Sequence, residues 1–400
     1  MKRSISLFAA AAVAASVFAG AAQAKDADKV IRLTIGDPQM TVDGAAVNID
    51  DEGTVPVIVN ERTLVPIRAI IEAAGGTVGW DGATQTVTLS YAGSEIELKI
   101  DSKTAHLNGM TDELDVAPTI INERTMLPIR YISECFGFHV DWDGDAQTVT
   151  LTVHPALIDA GDIKVTEDDV FGFYEEVTDD TVSDVAEILK YRQLAISKGV
   201  TLDADTEEVI AAIISDRAWD MVEADAGRGT VHRLVQALAY SQKLVAQIAE
   251  GMTVPEEQIK EHFIKSYMRA KHILVEDKAL AGDILKKAKG GEDFDKLIAE
   301  YNTDPGMPSY PDGYIFTDGA MVEPFENCVK SLKPDEIGIC ESAYGWHIIK
   351  RLSLTGDEER FSGWLEAEKE NIEGDILYDK VQDELEKMCA EAGIEAKIVK

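Results

Sequence analysis

The apolar positions change their spacing several times along the chain. Leu7 to Ala22 is a nearly unbroken, Ala-rich apolar run. From 26 to 155, Val, Ile and Thr recur in short alternating runs between Gly and Asp turns, the period-two pattern of strands. From Thr166 to Lys265 the spacing becomes helical. Val170, Tyr174 and Val177 mark one helix. Val185, Ile188, Leu189, Leu194 and Ile196 mark a second over Val182 to Lys198, and Thr206 to Glu223 and Gly229 to Gly251 give two more. Thr253 stands before Val254-Pro255-Glu256-Glu257 and reads as the N-cap of another. Beyond 266 the two periods mix. Ala270 to Val275 alternates as a buried strand, and helices are expected over Ala279 to Lys289, Asp293 to Tyr301 and Val322 to Ser331. Phe316 precedes a turn at Asp318-Gly319, and Gly338 to Cys340 and His347 to Arg351 close as strands. The order β-α-α-loop-α-β-β predicts a small α+β domain with helices on an antiparallel sheet. Glu358 to Ala392 then reads as one long helix, with Trp364, Leu365, Ile372, Ile376, Leu377, Val381, Leu385 and Met388 apolar.

Composition and charge place this multidomain α+β chain. The 400 residues predict two to four domains. Lys2 and Arg3, the apolar run, and Ala22-Gln23-Ala24 form a secretory signal pattern, with cleavage near Ala24. No Cys follows it, so a lipid anchor is not expected. No later run has the roughly 18 apolar residues that a membrane span needs. The expected location is secreted or extracytoplasmic, in the cell envelope. Loss of Lys2 and Arg3 takes the formal charge from −35 to −37, which disfavours nucleic acid and anionic lipid as partners. The four cysteines, Cys135, Cys328, Cys340 and Cys389, form no CxxC pair. Cys328 and Cys340 are near enough in sequence to pair, and the sequence leaves open whether they do.

The β-rich segment contains an internal repeat. Asn60-Glu61-Arg62-Thr63-Leu64-Val65-Pro66-Ile67-Arg68 returns as Asn122-Glu123-Arg124-Thr125-Met126-Leu127-Pro128-Ile129-Arg130, an offset of 62. Trp80-Asp81-Gly82 returns at the same offset as Trp142-Asp143-Gly144. Each unit reads as strand, Pro-started helix (Ile67 to Ala74; Ile129 to Phe136), strand, Asp-Gly turn, strand. Asp141-Trp142-Asp143-Gly144-Asp145 does not follow the calcium-loop spacing of Gly at six and Glu at twelve and is read as a hairpin turn. His106 and His139 are isolated and read as strand residues rather than metal ligands. The segment resembles the copper amine oxidase N-terminal-like domain. That resemblance implies a stalk or binding module without catalysis, with envelope material as a partner to consider.

The segment from 266 to 355 carries a chain of motifs: Ala270-Lys271-His272-Ile273-Leu274-Val275, Phe294 with Leu297, Thr303-Asp304-Pro305-Gly306, Gly319-Ala320-Met321-Val322 with Phe325, and Gly345-Trp346-His347-Ile348-Ile349-Lys350. In this order they resemble the parvulin-type peptidyl-prolyl cis-trans isomerases. The resemblance implies a cofactor-free, metal-free enzyme acting on X-Pro bonds of unfolded or newly exported polypeptides. It implies His272, Asp304 and His347 as the catalytic polar groups, and Phe316, Met321 and Phe325, with Tyr344, as the substrate-binding apolar cup. Whether the two His serve chemistry or hold the sheet stays open. The chain departs from the family pattern at Val322, where Gln is frequent, and at Pro311-Asp312-Gly313-Tyr314-Ile315, where G-G-D-L-G is usual. Glu276-Asp277-Lys278 lacks the basic cluster of phosphate-directed members.

Helices on both sides of this unit resemble the layout of SurA- and PrsA-type foldases. The expected organisation is therefore a signal peptide at 1–24, tandem repeats at 25–155, a helical chaperone-like arm at 160–265, the isomerase unit at 266–355, and a helix at 356–400 that completes the chaperone domain. The alternative functions are a non-catalytic holdase, or an envelope-binding surface protein with a degenerate isomerase module.

Overall fold

A computed structural model describes residues 27–210, 212 and 226–399. The expected leader at 1–24 and most of the expected helix from Thr206 to Glu223 lie outside the described residues. Among the described residues no helix is long and apolar enough to cross a membrane. The architecture is mixed α and β, with every paired strand among the described residues antiparallel, and it forms two compact units. One comprises the described residues up to Ile248 together with those from Glu384. The other is Ala249–Asp383. The long helix Glu358–Ala392 is thus divided between them.

In the first unit the two repeats interlock. Arg62–Pro66 pairs antiparallel with Arg124–Pro128 through Met126 with Pro66, Leu127 with Val65 and Pro128 with Leu64, so equivalent strands meet about a local two-fold axis. Each is entered through a two-residue Asn-Glu turn in which all four residues, Asn60, Glu61, Asn122 and Glu123, have positive φ. Such turns match the twist of the flanking strands. The helices Ile67–Ala74 and Ile129–Phe136 follow directly from Pro66 and Pro128 at their N-caps. The Asp143 carboxylate accepts from the N–H groups of Asp145 and Ala146, a hairpin turn.

The two five-stranded sheets have corresponding strand orders but different sources. The first runs through consecutive strands, from Thr77–Asp81 to Met110–Glu113. In the second, Thr148–Val153 pairs with Lys29–Thr34, so the N-terminal strands complete the C-terminal repeat. One shared core joins both, including Ile31, Leu33, Leu89, Ile96, Ile132 and Leu151. The C-terminal repeat does not close its sheet from its own consecutive residues.

The helical segment packs on this module. Gly229, in the helix Arg228–Glu250, approaches Ser94 so closely that a Cβ there would lie 2.6 Å from Ser94 Oγ. Asn108 Nδ2 donates to Gly229 O (3.0 Å), and Arg228 pairs with Asp112 (2.9 Å). Thr166 and Thr178 form capping boxes at the starts of Glu167–Tyr174 and Asp179–Ser197. The first of these helices stops short of Val177, because Glu175 takes a left-handed conformation (φ 63). Val177 still packs on the same core, from the connection rather than the helix. Lys397–Ile398 pairs with Ile158–Asp159, a contact between segments far apart in sequence that no local pattern announces.

In the second unit, Glu256–Ser266 starts from Pro255 rather than Thr253, without a side-chain cap. Its Ile259 and Phe263 pack with Tyr267, Phe361, Leu365 and Ile372. The sheet has four strands in the order Tyr314–Phe316, Met268–Val275, Gly345–Leu352, Ile337–Ser342. The Tyr314–Phe316 strand was not expected: three residues between turns carry too little periodicity to be recognised. It is fixed by pairing with Met268–Ala270. One sheet face, with Ile273, Val275 and Ile348, takes the helices Lys278–Lys289 and Phe294–Tyr301. The other, with Ala270, Phe316 and Ile349, takes the helix Glu323–Ser331.

Gly345 opens the strand that carries His347. Its φ is +124°, and a Cβ there would lie 2.7 Å from Val275 O. Gly345→Ala is expected to cost about 2–4 kcal/mol in denaturant unfolding, from backbone strain plus steric displacement.

Candidate active site

The second sheet face places two imidazoles side by side. His272 lies opposite Ile349, and His347 opposite Leu274, so the two rings meet on a diagonal. They are 5% and 4% exposed. Their rings stack with an interplanar angle of 18°, and Nδ1 of one lies 3.1 Å from Nδ1 of the other. At this separation one Nδ1 must donate and the other accept, so at most one of the two carries a proton there.

Asp304 determines which. Its loop is pinned to the free edge of Met268–Val275. Asn302 Oδ1 accepts from Leu274 N–H (2.9 Å), and the Thr303 N–H (3.0 Å) and hydroxyl (2.7 Å) both donate to Leu274 O. These bonds satisfy the strand groups that Tyr314–Phe316 is too short to reach. Asp304 Oδ2 then lies 2.8 Å from the Tyr314 hydroxyl, 2.8 Å from Met307 N and 3.2 Å from His272 Nε2. Burial pushes the Asp304 carboxyl up. The donated bond from Tyr314, the electrostatic pull and hydrogen bond of His272 and the Met307 amide outweigh it, so the net shift is downward. Asp304 is therefore an ionised acceptor.

The proton order follows from that acceptor. His272 Nε2–H donates to Asp304, which leaves Nδ1 of a neutral ring bare. His347 Nδ1–H donates to it, and His347 Nε2 is then bare and accepts from the Ser342 hydroxyl (2.7 Å). Tyr344 N–H donates in turn to Ser342 Oγ (3.1 Å). Burial lowers the pKa of His272, opposed by Asp304. For His347, burial and then the neighbouring His272 lower it to about 4. Both rings are neutral at physiological pH.

An apolar wall stands against this pair. The Phe325 ring lies edge-on to His272 (5.2 Å between centroids) and to His347 (5.5 Å), and 5.8 Å from Phe316. Met321 packs against the same cluster and is half-buried. Its backbone N–H donates to the buried Glu326 carboxylate (2.8 Å), which ties Met321 to the helix bearing Phe325. Thus His272, Asp304, His347, Phe316, Met321 and Phe325 come together. Tyr344 is 67% exposed on a turn and joins the group through its backbone amide.

Sequence reasoning did not select Tyr314, Ser342, Glu326 or Asn302 for the site. Tyr314 was visible only as a departure from the family loop. Its ring packs on Tyr310 (4.7 Å), and Gly306 leaves the space its hydroxyl occupies. A hydroxyl residue five positions before His347 was the signal available for Ser342.

Imidazole ¹⁵N spectra should show His347 uncharged as pH falls through 6.5 and protonating near 4. The unfolded chain takes up that proton near pH 6.5 whereas the folded chain does not. Stability from this group is therefore complete above 6.5 and lost progressively as pH falls toward 4. Tyr314→Phe removes a donor from Asp304, so the Asp304 carboxyl is expected to titrate at higher pH, read from its ¹³C shift.

The PPIC-type PPIASE domain family matches residues 256–353, and the copper amine oxidase N-terminal domain family matches residues 52–151. The foldase protein PrsA of a Geobacillus species is 27% identical over 283 residues, which is 68% of this chain and 96% of that protein. The foldase protein PrsA of Oceanobacillus iheyensis is 30% identical over 242 residues, which is 56% of this chain and 79% of that protein. The crystal structure of PrsA from Bacillus subtilis aligns with 51% of this chain and 79% of its own, at 25% identity and a TM-score of 0.23. The chain belongs to the PrsA foldase family and carries a parvulin-type peptidyl-prolyl isomerase domain.

Proposed function

We propose that this foldase isomerises X-Pro bonds of exported polypeptides outside the cytoplasm, holding the proline ring in a cup formed by Phe316, Met321 and Phe325. The observation that carries the reading is the apolar wall set directly against a fully ordered, neutral His pair. The extracytoplasmic placement rests on the leader pattern of Lys2, Arg3, the apolar run and Ala22-Gln23-Ala24. Residues 25–155 are assigned to the repeat module, 160–265 to the helical arm, 266–355 to the isomerase unit and 356–400 to the closing helix.

The chemistry requires no covalent step. Rotation about the amide costs ~18–20 kcal/mol because the planar form is stabilised by resonance. The planar amide is also the more dipolar form, so it loses more hydration than the twisted form on entering a dry cup. That difference favours the transition state over the ground state. Phe325 and Phe316 exclude water and grip the ring. Asp304, His272 and His347 supply fixed dipoles behind the wall whose orientation needs no rearrangement during rotation. Tyr344, exposed at the rim, is placed to touch the chain flanking the proline.

In a proline-limited refolding assay, Met321→Ala and Phe325→Ala should each lower kcat/KM at least about tenfold, the equivalent of about 1.4 kcal/mol. Suppression of client aggregation should persist in the same variants. Unchanged rates in folded variants would overturn the cup, and wild-type protein with no acceleration at all would favour a holdase. The rate should stay flat as pH falls through 6.5 and decline toward about 4, where protonated His347 can no longer accept from Ser342.

A further inference from the structure

Two thiols stand at the wall of the site without a part in it. Cys328 lies one turn beyond Phe325 on the helix Glu323–Ser331. Cys340 lies on the edge strand Ile337–Ser342, directly opposite His347. Both pack against the cluster that contains Phe316, Phe325 and Ile349. A Cβ built on Gly338, which shares a strand face with Cys340, would sit 3.1 Å from Cys328 Sγ. The helix therefore presents Cys328 to the strip of strand where Cys340 projects. Both thiols are free and only half-buried, so a small reagent can reach them.

We propose that Cys328 and Cys340 are a redox-responsive pair whose disulfide braces the helix carrying Phe325 against the edge strand carrying Ser342. The oxidant is a low-molecular-weight or protein disulfide. The Cys328 thiolate attacks one of its sulfurs, forming a mixed disulfide and releasing one thiolate. Cys340 then gives up its proton and attacks the Cys328 sulfur, forming the intrachain bond and releasing the second thiolate. The dithiol loses two electrons, the oxidant gains them, and the two protons end on the released thiols. The two side chains lie within hydrogen-bonding reach of each other, so the thiolate formed on one is stabilised by the thiol of the other. Closing the loop between the helix and the edge strand restrains the unfolded chain. The brace acts on both sides of the site. Phe325 and the Glu326 anchor of Met321 are on one tied element, and Ser342, which orients His347, is on the other.

The full chain should be equilibrated across a glutathione series, alkylated and mapped by peptide mass. The expected product is a peptide pair joining Cys328 to Cys340, two hydrogens lighter, with the buried Cys135 still alkylated only after unfolding. The thermal midpoint of the oxidised protein should rise by several degrees. Cys328→Ser and, separately, Cys340→Ala should abolish both the link and the rise. Glutathione adducts without the link, undiminished alkylation of both thiols at full oxidation, or a link with no rise in midpoint would each overturn the proposal. The link forms or fails regardless of how the cup is read, because it is scored by mass and not by isomerisation.

Discussion

Two imidazoles buried side by side with Nδ1 facing Nδ1 cannot both carry a proton there, so at most one could be a cation, and in the neutral pair the protons run in one direction. Water cannot correct a mismatch at 5% and 4% exposure, and two adjacent cations there would face a large desolvation cost. The direction must therefore be imposed from outside the pair. Asp304 imposes it from one end and Ser342 completes it at the other. The remainder of the domain can be understood as what these two termini require. Asn302 and Thr303 clamp the Asp304 loop to Leu274, Tyr314 and Met307 keep the carboxylate ionised, and the Tyr344 amide orients the Ser342 hydroxyl.

The same sheet solves a packing problem with alternating residues. Ile273, Val275 and Ile348 face one pair of helices, and His272, His347 and Ile349 face the other side. A register slip of one residue would exchange these sets and bury the polar pair under the wrong helices. Register is thus set by apolar burial on one face and by hydrogen bonding on the other. The two requirements agree, which suits a site that must be rigid before its substrate arrives.

The first unit shows a different use of sequence. A repeat with an offset of 62 suggests two independent modules, yet the strand pairing closes the second sheet with Lys29–Thr34. The shared core and the packing of Gly229 on Ser94 make the repeats a platform for the helices that follow, more than a free stalk. The isomerase domain matches residues 256–353, and the repeat module that matches residues 52–151 stands beside it in the same chain.

Local pattern alone determined a great deal. Pro66 and Pro128 mark helix starts, and Ile67–Ala74, Ile129–Phe136 and Glu358–Ala392 were readable to the residue, because periodicity and turn chemistry act over a few neighbours. The family resemblance carried by the chained motifs implied six residues that meet in one place. What tertiary structure alone decided is the set of bonds between distant segments. His272 and His347 are 75 residues apart, and His272 and Asp304 are 32 apart. The short strand Tyr314–Phe316 exists only through its partner, and Lys397–Ile398 only through Ile158–Asp159. Tyr314 and Ser342 gain their roles from the same cause. A hydroxyl has no function in a sequence pattern until folding sets an acceptor within about 3 Å of it.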